Sequence, residues 1–303
     1  MEKKSDAQLF QVHFSPYQKF ESFLKEKENP ASEKTIQGYL RDIKQFENFL
    51  HETGGSLHQL TRVDVQNYMN HLKEQGRAAS TINRHFNAIK QFSMALGFNG
   101  VCEGIRKTKP PGVQDLSPKS LERKDLLGIL RKVEQMNDVR ASAIIYLLAY
   151  TGIRIEECEN LNRKDLDFKR GGTINVVGKG DKPRKVPFPN EAKLHVKRYL
   201  ETRDDDNPAL FLSNYRKRMN KRSLQRVVEK VGKLYNALLP VEEQIELHAH
   251  TFRHTFARNL VVEKKLDIVT VAAIMGHQSI EVTRRYAMDS IQNVSEKLDD
   301  MTY

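Results

Sequence analysis

From its N-terminus the chain repeats apolar residues at intervals of three and four, the spacing that puts side chains on one face of a helix. Ile36, Tyr39, Leu40, Ile43, Phe46, Phe49 and Leu50 form such a stripe, and Ser32 stands where its hydroxyl would cap the helix. Thr61 and Asp64 make an acidic capping box ahead of Val65, Tyr68, Met69 and Leu72, and Ser80 precedes Ile82, Phe86, Ile89 and Leu96. With a weaker helix over 15–28, these stripes predict a small helical bundle. The aromatic residues lie on the buried stripes, which assigns them to the core rather than to base stacking.

The helical period breaks at Arg106-Lys107-Thr108-Lys109-Pro110-Pro111-Gly112, whose Pro, Gly and basic content marks an exposed linker. Helices are expected again at 120–134 and 138–151, and then comes one run of period two, Thr173-Ile174-Asn175-Val176-Val177. The turn-like Gly178-Lys179-Gly180-Asp181-Lys182-Pro183 and the returning Arg184-Lys185-Val186-Pro187-Phe188 make this a hairpin with a lysine at its tip. Helical patterns resume at 190–202, 223–238, 251–263, 266–275 and 289–299, with an acidic loop at Asp204-Asp205-Asp206. The predicted fold class is mainly α with a small β-hairpin (α+β), in two domains: a flexible N-terminal lead over 1–14, a helical domain over 15–108, a linker over 109–116 and a second domain over 117–303.

Charge narrows the partner. Lys plus Arg number 50 against 39 Asp plus Glu, a formal charge of +11 and a pI near 9.5, and the excess is spread over both halves. A polyanion, above all nucleic acid, fits such a chain. Cys102 and Cys158 lack the paired spacing of a disulfide framework or a zinc site and read as thiols in a reducing compartment. The N-terminal Met1-Glu2-Lys3-Lys4-Ser5-Asp6 leads into no signal-peptide core, and no apolar run has the roughly 18 residues of a membrane span. A soluble, cytoplasmic protein is expected.

Breaking and rejoining a nucleic-acid strand calls for particular groups. Attack on a phosphodiester adds negative charge to the non-bridging oxygens, which fixed cationic donors must meet, and the planar fork of Arg suits two phosphate oxygens. A nucleophile that can later leave, a proton acceptor and an acid for the departing 5′ oxygen complete the set. Tyrosine, with a pKa of about 10, can attack and be expelled. Such a scheme requires no metal and no other cofactor.

The C-terminal half holds these groups in order. Thr151-Gly152-Ile153-Arg154-Ile155-Glu156-Glu157 ends one helix at a Gly and begins another with Arg154; His250 and Arg253 stand three apart at a helix start; Gly276-His277 closes the next helix; Tyr286 follows nine residues after His277. A zinc reading of His248, His250 and His254 fails for want of a Glu after the first His or a nearby Cys. Taken singly, Arg154 with Glu157 reads as a helix-start charge pair, His277 as a helix-end cap and Tyr286 as a core tyrosine.

Together these residues resemble the tyrosine recombinase, or phage-integrase, family, whose pattern is Arg in T-G-x-R-x-x-E, Lys in G-K-G-x-K on a hairpin, H-x-x-R-H, and G-H followed nine residues on by the Tyr nucleophile. The resemblance spans nearly the whole chain and implies a two-domain DNA clamp, with a helical core-binding domain and a catalytic domain. It makes Arg154 and Arg253 the clamp on the scissile phosphate and His277 a further donor. It makes Lys179 the general acid, His250 the proton acceptor, Tyr286 the nucleophile, and Glu157 and His254 supporting residues. Lys182 and Lys185 share the hairpin, and the family pattern selects Lys179. The stretch from Tyr215 to Arg226 resembles the place where the family puts a helix into the major groove. Gln225 and Arg226 are candidates for base edges and Lys217, Arg218, Lys221 and Arg222 for phosphates. Thr81, Arg84 and Lys90 lie off the apolar stripe of their helix as candidates for the opposite jaw.

As partners the resemblance implies double-stranded DNA recombination sites, a monomer or dimer in solution, and a homotetramer on two sites, with accessory proteins compatible. Ile291, Val294 and Leu298 would form one face of a C-terminal tail for docking on a neighbouring subunit. Integration, excision or resolution of mobile or circular DNA would all use this chemistry. The alternatives are a DNA-binding protein of the same fold without chemistry, which the complete residue set argues against, and a type IB topoisomerase-like enzyme, which the N-terminal domain argues against.

Overall fold

The computed structural model describes residues 15–109, 120–178, 182–277 and 283. The chain divides into two compact units, Met1–Gly112 and Val113–Tyr303. As the hydrophobic pattern predicts, it is mainly helical with one small antiparallel sheet.

The first unit packs α1 (Pro16–Lys25), α2 (Glu33–Thr53), α3 (Arg62–Glu74) and α4 (Ala79–Leu96). Ser32 caps α2 by accepting from Thr35 N–H at 3.3 Å, and the Thr61–Asp64 box closes in both directions, with Thr61 N–H donating to Asp64 at 2.9 Å. α4 differs from expectation. It starts at Ala79, with Ala78 as a cap lacking a side-chain hydrogen bond, so Ser80 falls inside its first turn. Phe20, Phe46, Ile89 and Phe92 are fully buried, and Phe20 meets Phe92 edge-on at 5.3 Å. The aromatic residues of the stripes thus serve the core. Asn83 on α4 holds the start of the predicted linker with two hydrogen bonds, donating to the Thr108 carbonyl at 2.8 Å and accepting from its N–H at 2.9 Å.

The second unit is built around α6 (Val139–Thr151), whose Ile144, Ile145, Leu147 and Leu148 are buried together, so that the helix is apolar all round. α5 (Arg123–Gln135), α8 (Asn190–Glu201), α9 (Lys221–Asn236) and α10 (Ala249–Arg258) pack against it. Between α6 and α8 lie the short α7 (Ile155–Asn160) and the hairpin of β1 (Thr173–Val177) and β2 (Pro183–Pro187). In the hairpin Ile174 opposes Val186 and Val176 opposes Arg184, which puts these four side chains on one face. α10 widens into a π-helical turn over Asn259–Glu263, and α11 (Ile268–Met275) follows. Ala257, Val271 and Met275 join α10 to α11 in a separate small core. α9 begins two residues before the sequence pattern suggests, because Asn220 accepts from Ser223 N–H at 2.9 Å and caps it there. The predicted helix at 289–299 lies outside the described residues, as does the face of Ile291, Val294 and Leu298. Cys158 on α7 is 1% exposed, and burial pushes its thiol pKa far up.

α5 and α9 approach closely at Gly128, where a Cβ would lie 2.4 Å from Cε2 of Tyr235. The Tyr235 hydroxyl in turn donates to Asp125 at 2.9 Å, so the ring cannot swing aside without leaving a buried carboxylate short of a donor. Gly128→Ala should therefore destabilise the protein by about 1–3 kcal/mol, as overpacking does. Urea unfolding checks this: an unchanged midpoint and slope would mean that α9 yields at no cost.

Candidate active site

The site begins where α6 stops. Gly152 takes a left-handed conformation with φ of 59°, and a Cβ there would meet the Phe256 ring at 2.4 Å, so only glycine allows both the turn and the close approach of α10. Two residues on, Arg154 is the N-cap of α7, its N–H donating at 2.7 Å to Glu157, three residues into the helix.

A second helix end brings the arginines together. α11 closes at Gly276, which has φ of 62°, and the carbonyls of its last turn have no further amide of the helix to accept from. Arginine side chains supply the donors. Arg184 Nε donates to Ile274 at 3.1 Å, Arg253 Nη2 to Met275, and Arg154 Nη2 to Gly276 at 3.1 Å. Three guanidiniums thus meet three consecutive carbonyls at the negative end of the helix. Arg253, on α10 and 4% exposed, also donates through Nη1 to the Gly152 carbonyl at 2.6 Å, which joins the two glycine turns through one side chain.

Glu157 is the counter-charge. It is 4% exposed, accepts from both Nη atoms of Arg184 at 2.7 and 2.9 Å, and accepts from Arg154 Nη1 at 3.1 Å. Burial pulls its pKa up, but the hydrogen bonds from Arg184 and the Arg154 amide, with the charges of both arginines, hold it below the usual carboxylate range. Sequence reasoning overlooks Arg184. Its signal lies in the alternation of the hairpin, which puts position 184 on the inward face with Ile174, Val176 and Val186. A cation there requires a buried partner. Gly276 makes room for it, since a Cβ would lie 2.9 Å from Arg184 Nε.

The histidines differ from one another. His277, directly after Gly276, is half-buried; burial and the nearby Arg253, Arg154 and Arg184 push its pKa down to about 4. The ring is therefore neutral near pH 7, and its Nδ1 lies 2.8 Å from the hydroxyl of the buried Thr283. When that hydroxyl donates, the ring proton sits on Nε2, where a neutral imidazole can still donate. His254 is pushed down to about 4 by burial and by the charges of His250 and Arg253. His250, exposed and on the same face of α10 with ring centroids 6.2 Å apart, is lowered by desolvation against the pull of Glu156. Lys179 and Tyr286 lie outside the described residues.

The predicted DNA-contact residues divide in two. Arg218 donates to the carbonyls of Glu159 and Leu161 at 2.8 and 2.9 Å and to Asn162 at 2.6 Å, so its guanidinium holds a loop, and Lys221 is paired with Glu156. Lys217, Arg222 and Arg226 are exposed, and Gln225 is half-buried. In the first unit Thr81 is half-buried, Lys90 is exposed, and Arg84 is paired with Asp42, a partner that the sequence pattern does not disclose.

Comparison with known proteins agrees in both units. Residues 119–292 match the phage integrase family, and residues 18–97 match the phage integrase N-terminal SAM-like domain. The tyrosine recombinase XerC of Oceanobacillus iheyensis is 32% identical, over 86% of this chain and 87% of the relative; XerA of Pyrococcus furiosus is 28% identical, over 79% and 80%. Among solved structures, the Tn1549 transposon integrase in complex with a circular intermediate DNA shares the fold at a TM-score of 0.71 and 22% identity, over 93% of this chain and 99% of that one. The XerH recombinase bound to its difH substrate shares it at 0.67 and 21% identity, over 95% and 85%. Two helix ends that gather the arginines, and a family match over both units, lead to one conclusion: this chain belongs to the phage integrase family, as a site-specific tyrosine recombinase.

Proposed function

We propose that the protein breaks and rejoins DNA strands through a 3′-phosphotyrosine on Tyr286, with Arg154 and Arg253 as the clamp on the scissile phosphate. The observation that carries this reading is that Arg154 and Arg253 donate to adjacent carbonyls at the end of α11, directly before His277. Arg154, whose side chain is about a third exposed, is the outer member of the clamp; Arg253 is the inner one. His277 donates to a non-bridging oxygen through Nε2. Tyr286 oxygen attacks phosphorus as its proton passes to His250, and the bond to the 5′ oxygen breaks as Lys179 protonates that oxygen. The phosphotyrosine conserves the bond energy, and attack by a 5′ hydroxyl reverses the step. Glu157 does not react. It holds Arg154 and Arg184 in place.

In the same reading residues 15–108 form the core-binding domain, 109–116 the linker and 117–303 the catalytic domain of a clamp around DNA. Four copies would act on two duplex sites and exchange strands in pairs. Lys217, Arg222 and Arg226 take phosphate or base contacts, whereas Arg218 serves the loop it already holds.

Three experiments test the assignment. On a nicked suicide duplex the protein should become covalently attached to the 3′ end, and Tyr286→Phe should bind the duplex normally yet give no adduct. An adduct that survives this change, or one that chelator abolishes, would overturn the role of Tyr286.

Replacing Arg154 or Arg253 by Ala should cost on the order of 10²-fold or more in cleavage rate, as with other donors to developing charge. Duplex affinity should change far less, because other cations share the phosphates. Equal losses in affinity and rate would make both residues anchors only.

A 5′-phosphorothiolate at the scissile bond gives sulfur as the leaving atom, which departs without an acid. Lys179→Ala should be slow on ordinary DNA and nearly restored on this substrate, whereas Arg154→Ala should stay slow on both. Lys182→Ala and Lys185→Ala should cleave ordinary DNA at close to the parent rate. Rescue of the Lys182 variant instead would move the acid three residues along the hairpin.

A further inference from the structure

A carboxylate is costly to bury unless its charge and lone pairs are met. Asp42 on α2 is 2% exposed, next to Ile43 in the core of the first unit. Arg84 on α4 meets it, with Nε donating to Oδ2 at 2.8 Å and Nη2 to Oδ1 at 2.9 Å. Behind the carboxylate stands His85, its Nε2 3.6 Å from Oδ1, and the Tyr68 hydroxyl lies 3.2 Å from His85 Nδ1. Burial outweighs the pull of Asp42 and lowers the His85 pKa, so the ring stays neutral and Arg84 is the cation that faces the acid. The chain of polar groups runs from the aromatic core outward to Arg84, whose side chain is 56% exposed.

Two properties of Arg84 follow. A surface arginine ordinarily samples many rotamers, whereas this one is fixed at one edge by a group that the core holds still. Both hydrogen bonds use the Nε side of the guanidinium; in its rigid fork of five donors, the outer edge, made of Nη1 and the second hydrogen of Nη2, points away from Asp42. That edge suits two acceptors side by side, such as O6 and N7 of guanine. The second property is charge. With Asp42 beside it the pair is neutral overall, which weakens long-range attraction to phosphate while leaving the direction of the donors intact. Phosphate contacts draw on charge and tolerate mobile side chains, whereas base edges require direction.

We infer that Arg84 reads a guanine edge in the major groove of the DNA site, and that Asp42 is the positioning residue for this sequence contact. The inference rests on the reading of the chain as a site-specific recombinase, and goes beyond it in assigning specificity to one pair in the first unit.

The test is binding of the full-length protein to a duplex library with a randomised core, followed by affinity measurements on the selected duplex and its single-base variants at several salt concentrations. The parent protein should select a guanine at one or more fixed positions. Arg84→Ala should lose the preference at one of them, about tenfold or more, and keep the others. Arg84→Lys should not restore it, because an ammonium lacks the fork. Asp42→Asn should relax the same position and no other, an outcome that a purely structural role for Asp42 does not produce. Should Asp42→Asn fail to fold, the two substitutions at the exposed Arg84 decide alone. A uniform loss of affinity over all sequences in Arg84→Ala, with a salt slope lower by about one, would make Arg84 a phosphate contact and overturn the inference. Unchanged preference and affinity would reduce the pair to a packing device and overturn it as well. A parent protein that selects no sequence at all would instead remove the underlying reading of site-specific binding.

Discussion

A helix that ends inside a protein leaves carbonyl oxygens that must find donors or forfeit hydrogen bonds, at a cost of about 1–3 kcal/mol each. At the end of α11 the donors are arginines, from the start of α7, from β2 and from α10, and each takes one of three consecutive carbonyls. Helix, hairpin and two glycine turns are thereby tied to one point, and the cations stand in place before any substrate arrives. Electrostatic stabilisation of a transition state depends on such prior placement, because donors that must first be gathered lose part of their effect to reorganisation.

The two units share a device. In each, a buried carboxylate fixes an arginine through two hydrogen bonds: Glu157 holds Arg184, and Asp42 holds Arg84. The acids differ in what surrounds them. Glu157 is shared with Arg154 and lies among cations, so its arginines keep a net positive field. Asp42 has a neutral histidine behind it, and its one arginine is compensated. The same pair of residue types thus yields an electrostatic centre in one setting and a directional one in the other.

Much of this is readable in the sequence. The helices are, because stripe and cap are local: Ser32 and the Thr61–Asp64 box act as their positions predict. The starts of α4 and α9 depart from the pattern for equally local reasons, since Ala78 caps without a side-chain hydrogen bond and Asn220 caps ahead of Ser223. The order of Arg154, Arg253 and His277 can be read as a motif, yet not the helix end at which they meet, which depends on contacts between distant segments. Arg184 is hidden because its partner lies on another element, and only hairpin register shows that it points inward. In the basic run near Arg218 the hidden information is of another kind. Density of charge does not disclose which guanidinium is already engaged by carbonyls of its own chain.

The cluster at the end of α11 also has a definite charge balance. His254 and His277, with pKa values of about 4, are neutral near pH 7. Among the described groups that leaves Arg154, Arg184 and Arg253 against Glu157, three guanidiniums and one carboxylate, a surplus of two positive charges. A phosphodiester carries one negative charge, and the five-coordinate species formed on attack carries about two in the limiting case. With the scissile phosphate held as proposed, the surplus matches the reacting species better than the resting one, so that attraction grows as the bond to the nucleophile forms. A site balanced in this way favours turnover over mere retention of DNA, because its strongest attraction is to a species that exists only during the reaction.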